Sequence, residues 1–392
     1  MIQQLDQGRS DAATLEQLFN HDISIQTTPH QPAPSQAAVS KYLLLYLQGG
    51  KDLEGVPWQR GEMGGAILSE NLSVIKDLGP VFEPDRDDYW RSSRLLAGSL
   101  RLVNENSLYF FYGGSPDRPN LLHEYIGFCK GIIRDNHEID WQAPQLIEFR
   151  DWEKYYDYSD HPLMPDQRHR QLRDPFPIFH EGKYWMFLSA AAKTNSQPNK
   201  GCIGLAVADQ LEGPYTLLPP ALFPHFMTNE GEQGLFYECE RSHVYYKGGM
   251  WHMFFSVMKQ HVNPRWLEQL GDDAASITDS SLYHFVSPQI NGPYQPAGVV
   301  PVVKGSSESN LYAINFERNN QEDLIAYGLN LGMQELDVSG QWKVLWDNDY
   351  PEIKKVSPSG QQSVADPSSL LYGREGYFIW DAILFKLPPK VN

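Results

Sequence analysis

Five short runs of apolar and aromatic residues recur along this chain, each entered through a polar or glycine turn, and they restrict the fold more than any other feature. They are Lys41-Tyr-Leu-Leu-Leu-Tyr46, Ser107-Leu-Tyr-Phe-Phe-Tyr112, Gly182-Lys-Tyr-Trp-Met-Phe-Leu188, Gly249-Met-Trp-His-Met-Phe-Phe255 and Asp323-Leu-Ile-Ala-Tyr327. Their centres lie roughly 65–75 residues apart, so five such units fill nearly all of a 392-residue chain. Two units share more than the run. Ile203-Gly-Leu-Ala-Val-Ala-Asp-Gln-Leu-Glu-Gly-Pro-Tyr215 and Leu282-Tyr-His-Phe-Val-Ser-Pro-Gln-Ile-Asn-Gly-Pro-Tyr294 both read as strand, polar turn and Gly-Pro-Tyr. Proline cannot donate to a strand ladder, so Gly-Pro marks a turn at one fixed place in the unit.

Aromatic residues make up 12% of the chain beside 31 Gly and 28 Pro, a mixture that favours strands and turns over helices. A sheet of three or four antiparallel strands cannot bury both faces alone. Five such sheets packed radially can, and they leave few exposed edges. The expected fold is all-β, a five-bladed β-propeller. A pair of β-sandwiches also gives turn-punctuated strands but does not account for the five-fold count. Asp11 is placed to cap a short helix over residues 12–19, so we expect an N-terminal helical segment at 1–21 and a single propeller domain over 22–392.

The 49 Asp and Glu against 32 Lys and Arg disfavour a nucleic acid partner and leave room for a neutral or cationic small molecule. No window approaches the ~18 apolar residues of a membrane span. Cys129, Cys202 and Cys239 form neither a disulfide framework nor a CxxC pair, which suits a reducing compartment. Asp6, Asp11 and Glu16 interrupt the first residues, with no apolar core of a secretory signal, and the expected location is cytoplasmic.

Three polar clusters stand just ahead of the apolar runs at equivalent places: Tyr89-Trp-Arg-Ser-Ser93, Arg173-Asp-Pro-Phe176 and Tyr237-Glu-Cys-Glu-Arg-Ser242. In a propeller the first strand of each blade lines the axis, so such residues converge although far apart in sequence. That places Asp174, Glu238 and Glu240 around one pocket. Carboxyl groups clustered at low dielectric push one pKa up, leaving one group to donate a proton while another stays ionised. This division of labour cleaves a glycosidic bond. An isolated Arg-Asp-Pro is ordinarily a turn with a salt bridge, and Tyr-Trp ordinarily packs; their shared position in the repeat argues for the site. His161 and His169 lack further ligands at metal spacing, so no metal and no cofactor are expected. The polar stretch from Arg150 to Arg173 reads as a long loop at the pocket rim.

At these residues the sequence resembles a family. Trp90 with Ser92 and Ser93, Arg173-Asp174-Pro175-Phe176 before Gly182-Lys-Tyr, and Glu238-x-Glu240-Arg241 before Val244 are similar to the levansucrase group of β-fructosyl enzymes, glycoside hydrolase family 68, and to the related invertase and arabinanase clans. The likeness runs from about residue 22 to residue 330. It implies a five-bladed propeller with a funnel-shaped axial pocket and a small sugar or glycoside as substrate. It further implies Glu240 as general acid/base, Asp174 as transition-state stabiliser, and Arg173, Glu238 and Arg241 as sugar-binding or pKa-setting neighbours. Tyr312 falls about where the family has an active-site tyrosine.

The departures bear on the chemistry. The family's nucleophile is an Asp in a stretch of the type apolar-x-Val-Trp-Asp-Ser-Trp-Pro-x-Gln. Here the matching stretch is Ile23-Ser-Ile-Gln-Thr-Thr-Pro-His-Gln31, which puts Thr27 in the nucleophile's place and His30 nearby. Threonine has neither the charge nor the leaving-group ability that a covalent glycosyl ester requires. The family's Trp-Ser-Gly is Trp90-Arg91-Ser92, placing an arginine beside the pocket, and Lys259 or His261 stands for an Arg or His after the fourth unit's strand. Three readings are open: a glycosidase or fructosyltransferase whose nucleophile lies elsewhere, with Asp22 the nearest acid; an enzyme keeping Glu240 and Asp174 for elimination, cyclisation or hydration; and a sugar-binding or scaffold protein without chemistry.

Overall fold

The computed structural model describes residues 41–388, apart from 51–60, 71, 117–123, 158–160, 165–166, 170–171, 196–197, 279, 299–300, 303–311, 319–323, 331–334, 348–349, 356–369 and 372–376. The helix expected within residues 1–21 lies outside the described residues, as do Asp22, Thr27 and His30.

Among the described residues the fold is all-β with few and short helices, and five sheets have four or more strands. The first runs Tyr377–Lys386, Tyr42–Gly50, Glu62–Leu68, Val74–Phe82, so the last strand of the chain leads the sheet that the first strand continues. The second is led by Arg94–Asn104, the third by Leu172–His180, the fourth by Glu240–Lys247 and the fifth by Tyr312–Arg318. Each leading strand is followed by the apolar run that recurs in the sequence: Tyr42–Gly50, Ser107–Ser115, Lys183–Ala191, Met250–Met258 and Leu324–Asn330. These second strands read as continuous apolar runs because both of their faces meet neighbouring sheets.

The leading strands contact one another in sequence around a closed circuit, Arg94–Asn104 to Leu172–His180, on to Glu240–Lys247, to Tyr312–Arg318, to Tyr377–Lys386 and back. Five buried clusters fill the gaps between successive sheets. Leu45 with Phe110 lies between the first and second, Phe111 with Met186 between the second and third, Phe187 with Phe255 between the third and fourth, Phe254 with Phe316 between the fourth and fifth, and Tyr327 with Leu384 between the fifth and first. The arrangement is propeller-like. The two Gly-Pro-Tyr corners are also equivalent. Tyr215 and Tyr294 are buried, and their hydroxyls donate to the carbonyls of Leu211 (2.8 Å) and Ile290 (3.1 Å), four residues back in each case.

Every leading strand slips its pairing with the second strand, and Arg94–Asn104 does so a second time between Leu102 and Asn104. The breaks fall between Leu95 and Gly98, Arg173 and Phe176, Glu240 and His243, and Tyr312 and Asn315. In the first sheet, Leu47 pairs with Asp381 and Gln48 with Ile379, leaving Trp380 over. A bulge turns the strand and re-aims side chains that strict alternation would send to a sheet face. Asp174 (φ +55°) and Arg241 (φ +57°) sit within two of these bulges in the left-handed region, a conformation costing on the order of 1–3 kcal/mol for residues other than glycine.

Candidate active site

The bulges bring ionisable residues of the leading strands together. Asp174 Oδ2 accepts from Ser189 Oγ at 2.7 Å and from the peptide N–H of Arg241 at 3.0 Å. Arg173, the residue before it, fans its guanidinium over four carboxyl groups. Nη2 meets Glu238 Oε1 and lies 3.2 Å from Glu240 Oε1, Nε is 3.5 Å from Asp174 Oδ2, and Nη1 is 3.9 Å from Glu124 Oε1. Arg94 approaches the same Glu124 oxygen at 3.8 Å. Arg241 Nε lies 3.4 Å from Asp381 Oδ2 on the last strand. The Oε2 of Glu238 is 3.2 Å from Nδ1 of His261.

Three arginines thus face five carboxyl groups, Glu124, Asp174, Glu238, Glu240 and Asp381, nearly all deeply buried. Acid is in surplus, and the effect is seen in two of them. Burial pushes Glu240 up to about 7 against the pull of Arg173, with Asp174, Asp381 and Glu124 adding repulsion. Burial likewise lifts Asp381 to about 6, against Arg241 and with Asp174 repelling. Glu240 is the more open of the two, its side chain 17% exposed against 9% for Asp381. A proton donor and a carboxylate on facing strands are what acid-assisted displacement at a sugar carbon needs.

Of the residues expected at the site, Asp174, Arg173, Glu238, Glu240 and Arg241 come together. The Arg241 guanidinium is spent on protein, donating to Gly98 O (2.8 Å), Asn315 Oδ1 (3.0 Å) and Ala382 O (3.4 Å), so its contact to the site is the charge beside Asp381 rather than a sugar. Tyr312 opens the fifth leading strand, and its side chain lies outside the described residues.

Other expectations are corrected. Trp90 is not a sugar platform: it is 4% exposed, packs 5.3 Å from the Tyr112 ring, and fills a slot that a Cβ at Gly114 or Gly127 would enter. Ser92 turns its hydroxyl to Tyr89 O at 3.2 Å within the same turn. Arg91 is tied to Asp85, Asp88 and the Glu83 carbonyl rather than to the pocket carboxylates. Lys259 is exposed, and His261 is the residue of that turn which reaches the site. The stretch before Arg173 is not simply a loop: it holds the helix Trp152–Tyr155 and a hairpin of His161–Met164 with Gln167–His169.

Asp381, Glu124 and Arg94 escaped the sequence reading. For Asp381 a signal was present, because Ile379-Trp380-Asp381 has the apolar-Trp-Asp order of the family's nucleophile stretch, at the far end of the chain from where that stretch is sought. The oxygens of Glu238 and Glu240 and a His261 nitrogen lie within 4.8 Å of one another, a set that could ligate a cation. The Arg173 guanidinium already faces both glutamates there.

Among solved structures, a mutant of the Bacillus subtilis levansucrase matches with a TM-score of 0.54 at 12% identity, over 90% of this chain and 95% of that one. A levansucrase complexed with sucrose matches at 0.54 and 12%, over 91% and 96%. The Microbacterium saccharophilum β-fructofuranosidase matches at 0.55 and 13%, over 88% and 81%. No family model and no curated protein matches the sequence. At such identities the likeness is one of fold, and it agrees with the propeller-like circuit of sheets.

Proposed function

We propose that this protein is a glycosidase or fructosyltransferase acting on a small sugar or glycoside, with Asp381 as nucleophile, Glu240 as general acid/base and Asp174 as the carboxylate that stabilises the transition state. The observation that carries the reading is the meeting of these three carboxyl groups from three different leading strands, two of them with raised proton affinity. In the first step the Asp381 carboxylate attacks the anomeric carbon while Glu240 gives its proton to the departing oxygen. A glycosyl ester on Asp381 and a free alcohol result. Glu240 then takes a proton from water or a sugar acceptor, which displaces Asp381.

The five sheets are taken as the blades of one five-bladed propeller over the repeat region, closed by the last strand lying beside the first. The cytoplasmic location is kept on the strength of three free, buried cysteines. The alternative of elimination, cyclisation or hydration without a covalent sugar intermediate predicts a pocket with two working carboxyl groups. Asp381 is a third, which favours displacement. The sucrose bound in a structure similar in fold makes sucrose the first substrate to try, with raffinose beside it. Release of glucose or fructose, abolished by Glu240→Gln and by Asp381→Asn, is the expected result. No release between pH 4 and 8 would sink the reading.

A further inference from the structure

Arg241 reaches from its own strand to all four other leading strands. Its peptide N–H goes to Asp174 on the third sheet, Nη1 to the Gly98 carbonyl on the second, and Nη2 to Asn315 on the fifth and the Ala382 carbonyl on the first, with Nε facing Asp381. The last strand is laddered to Tyr42–Gly50 along one edge. Toward the fifth sheet it is held by discrete bonds, Asn315 Nδ2 to Ala382 O at 3.3 Å and the Lys386 N–H to Glu317 Oε2 at 3.1 Å. The strand that carries Asp381 is therefore also the strand that closes the circuit; Asn315, Glu317 and Tyr327 hold it to the fifth sheet, and Arg241 ties it to the strands beyond.

We propose that Arg241 is a positioning residue: it fastens the last strand to the other leading strands and, through its peptide N–H and its guanidinium, holds Asp174 and Asp381 in one fixed arrangement. The inference rests on the reading of Asp381 as nucleophile, and it adds that closing the circuit and completing the site are one event. The groups facing Asp381 are Arg241 and Glu240 from the fourth sheet, Asp174 from the third and Tyr327 from the fifth, with its own Ala382 N–H bonded to Oδ1 at 2.7 Å. Arg241 is the cation among them. Its fork spans several acceptors at once, whereas a lysine ammonium supplies the charge at a single point.

The test uses the full chain with Arg241→Lys and Arg241→Met. In both variants amide exchange in residues 377–386 should speed up about tenfold or more, while exchange in Met250–Met258 stays near that of the parent. In Arg241→Met the acid limb of kcat/KM on sucrose should move up by about one pH unit, since the cation beside Asp381 is gone; in Arg241→Lys the limb should stay. In both, kcat should drop by about 100-fold with KM within about twofold. Unchanged exchange at 377–386 in Arg241→Lys overturns the proposal, as does an unmoved acid limb in Arg241→Met. Should Arg241→Met not fold, exchange in Arg241→Lys decides. Should the parent protein release no sugar, the proposed function has failed, and the exchange measurement still decides whether Arg241 fastens the strand.

Discussion

Nη2 of Arg173 lies 3.2 Å from Oε1 of Glu240, a cation held against the carboxyl group that burial pushes up to about 7. Glu240 must carry a proton to assist the leaving group and Asp381, lifted to about 6, must have lost its own. Activity is expected to be bell-shaped in pH, falling below about 6 and above about 7. Arg173→Met removes the group that draws Glu240 down, so its basic limb should move up by about one unit. The measurement is kcat/KM for sugar release from pH 4 to 9. A basic limb that stays put in the variant would mean that Glu240 is not the acid.

Asp381→Asn should lower kcat by a factor on the order of 10⁴ or more, as loss of a nucleophile does. It should also stabilise the fold at neutral pH. The folded-state value of about 6 lies above the ordinary 3.8, so the contribution of Asp381 to stability is present below pH 3.8 and is lost as pH rises through about 6. The neutral amide escapes that loss, which is on the order of 2–3 kcal/mol at pH 7 with the attraction to Arg241 already counted in it. Thermal melts at pH 7 and pH 4 check this. A higher Tm for the variant at pH 7 with no gain at pH 4 is the expected pair of results.

Trp90→Ala should destabilise by about 3–5 kcal/mol, the cost of emptying a large aromatic slot, and leave KM unchanged. The ring is 4% exposed and wedged against Tyr112, Gly114 and Gly127, all in the second sheet. Denaturant unfolding reads the first effect and substrate titration the second. A raised KM at unchanged stability would restore Trp90 to the sugar site.

The five apolar runs were legible because second strands, buried on both faces, need no alternation to be recognised. Arg173, Asp174, Glu238, Glu240 and Arg241 were legible because they stand directly before those runs. The direction of their side chains was not, since each leading strand carries a bulge that breaks the two-residue period. Asp381 was hidden by chain order. Its strand pairs with Tyr42–Gly50 from the opposite end of the sequence, so it follows the fifth run where the first sheet's leading strand was sought before residue 41. Trp90 misled for a simpler reason: Tyr-Trp before an arginine reads the same whether the ring packs inward or faces a ligand.

His252 and His284 form a buried pair, Nδ1 to Nε2 at 3.0 Å, with the His284 ring stacked 4.6 Å from Phe254. Burial and the neighbouring His252 draw His284 down to about 3, far below the usual 6.5. A depressed histidine contributes stability above its unfolded value, and that contribution drains away as pH falls from 6.5 toward 3, where the unfolded chain binds the proton first. At pH 5 the loss is about 2 kcal/mol. Followed by denaturant titration, His284→Phe should lose about 2 kcal/mol less than the parent between pH 7 and pH 5, since the opposite contributions of Asp381 and Glu240 are common to both proteins. An equally steep fall in the variant would assign the acid sensitivity to other groups.

Gly201 begins the third strand of the third sheet and donates its N–H to Phe236 O at 2.9 Å. A Cβ there would lie 2.6 Å from the Glu238 nitrogen and 2.8 Å from its Cα. Both atoms are backbone and cannot swing aside, so Gly201→Ala must displace the segment that carries Glu238 and, two residues on, Glu240. The overpacking should cost about 1–3 kcal/mol. A shift of even part of an ångström at Glu240 should lower kcat by about 10- to 100-fold, because proton transfer to the leaving oxygen requires close alignment. Tm and kcat are measured together with the pH profile. The displaced acid should retain a basic limb near 7, since its burial and its arginine are kept, so a rate loss at an unmoved limb is the result that ties Gly201 to the placement of Glu240 rather than to its charge.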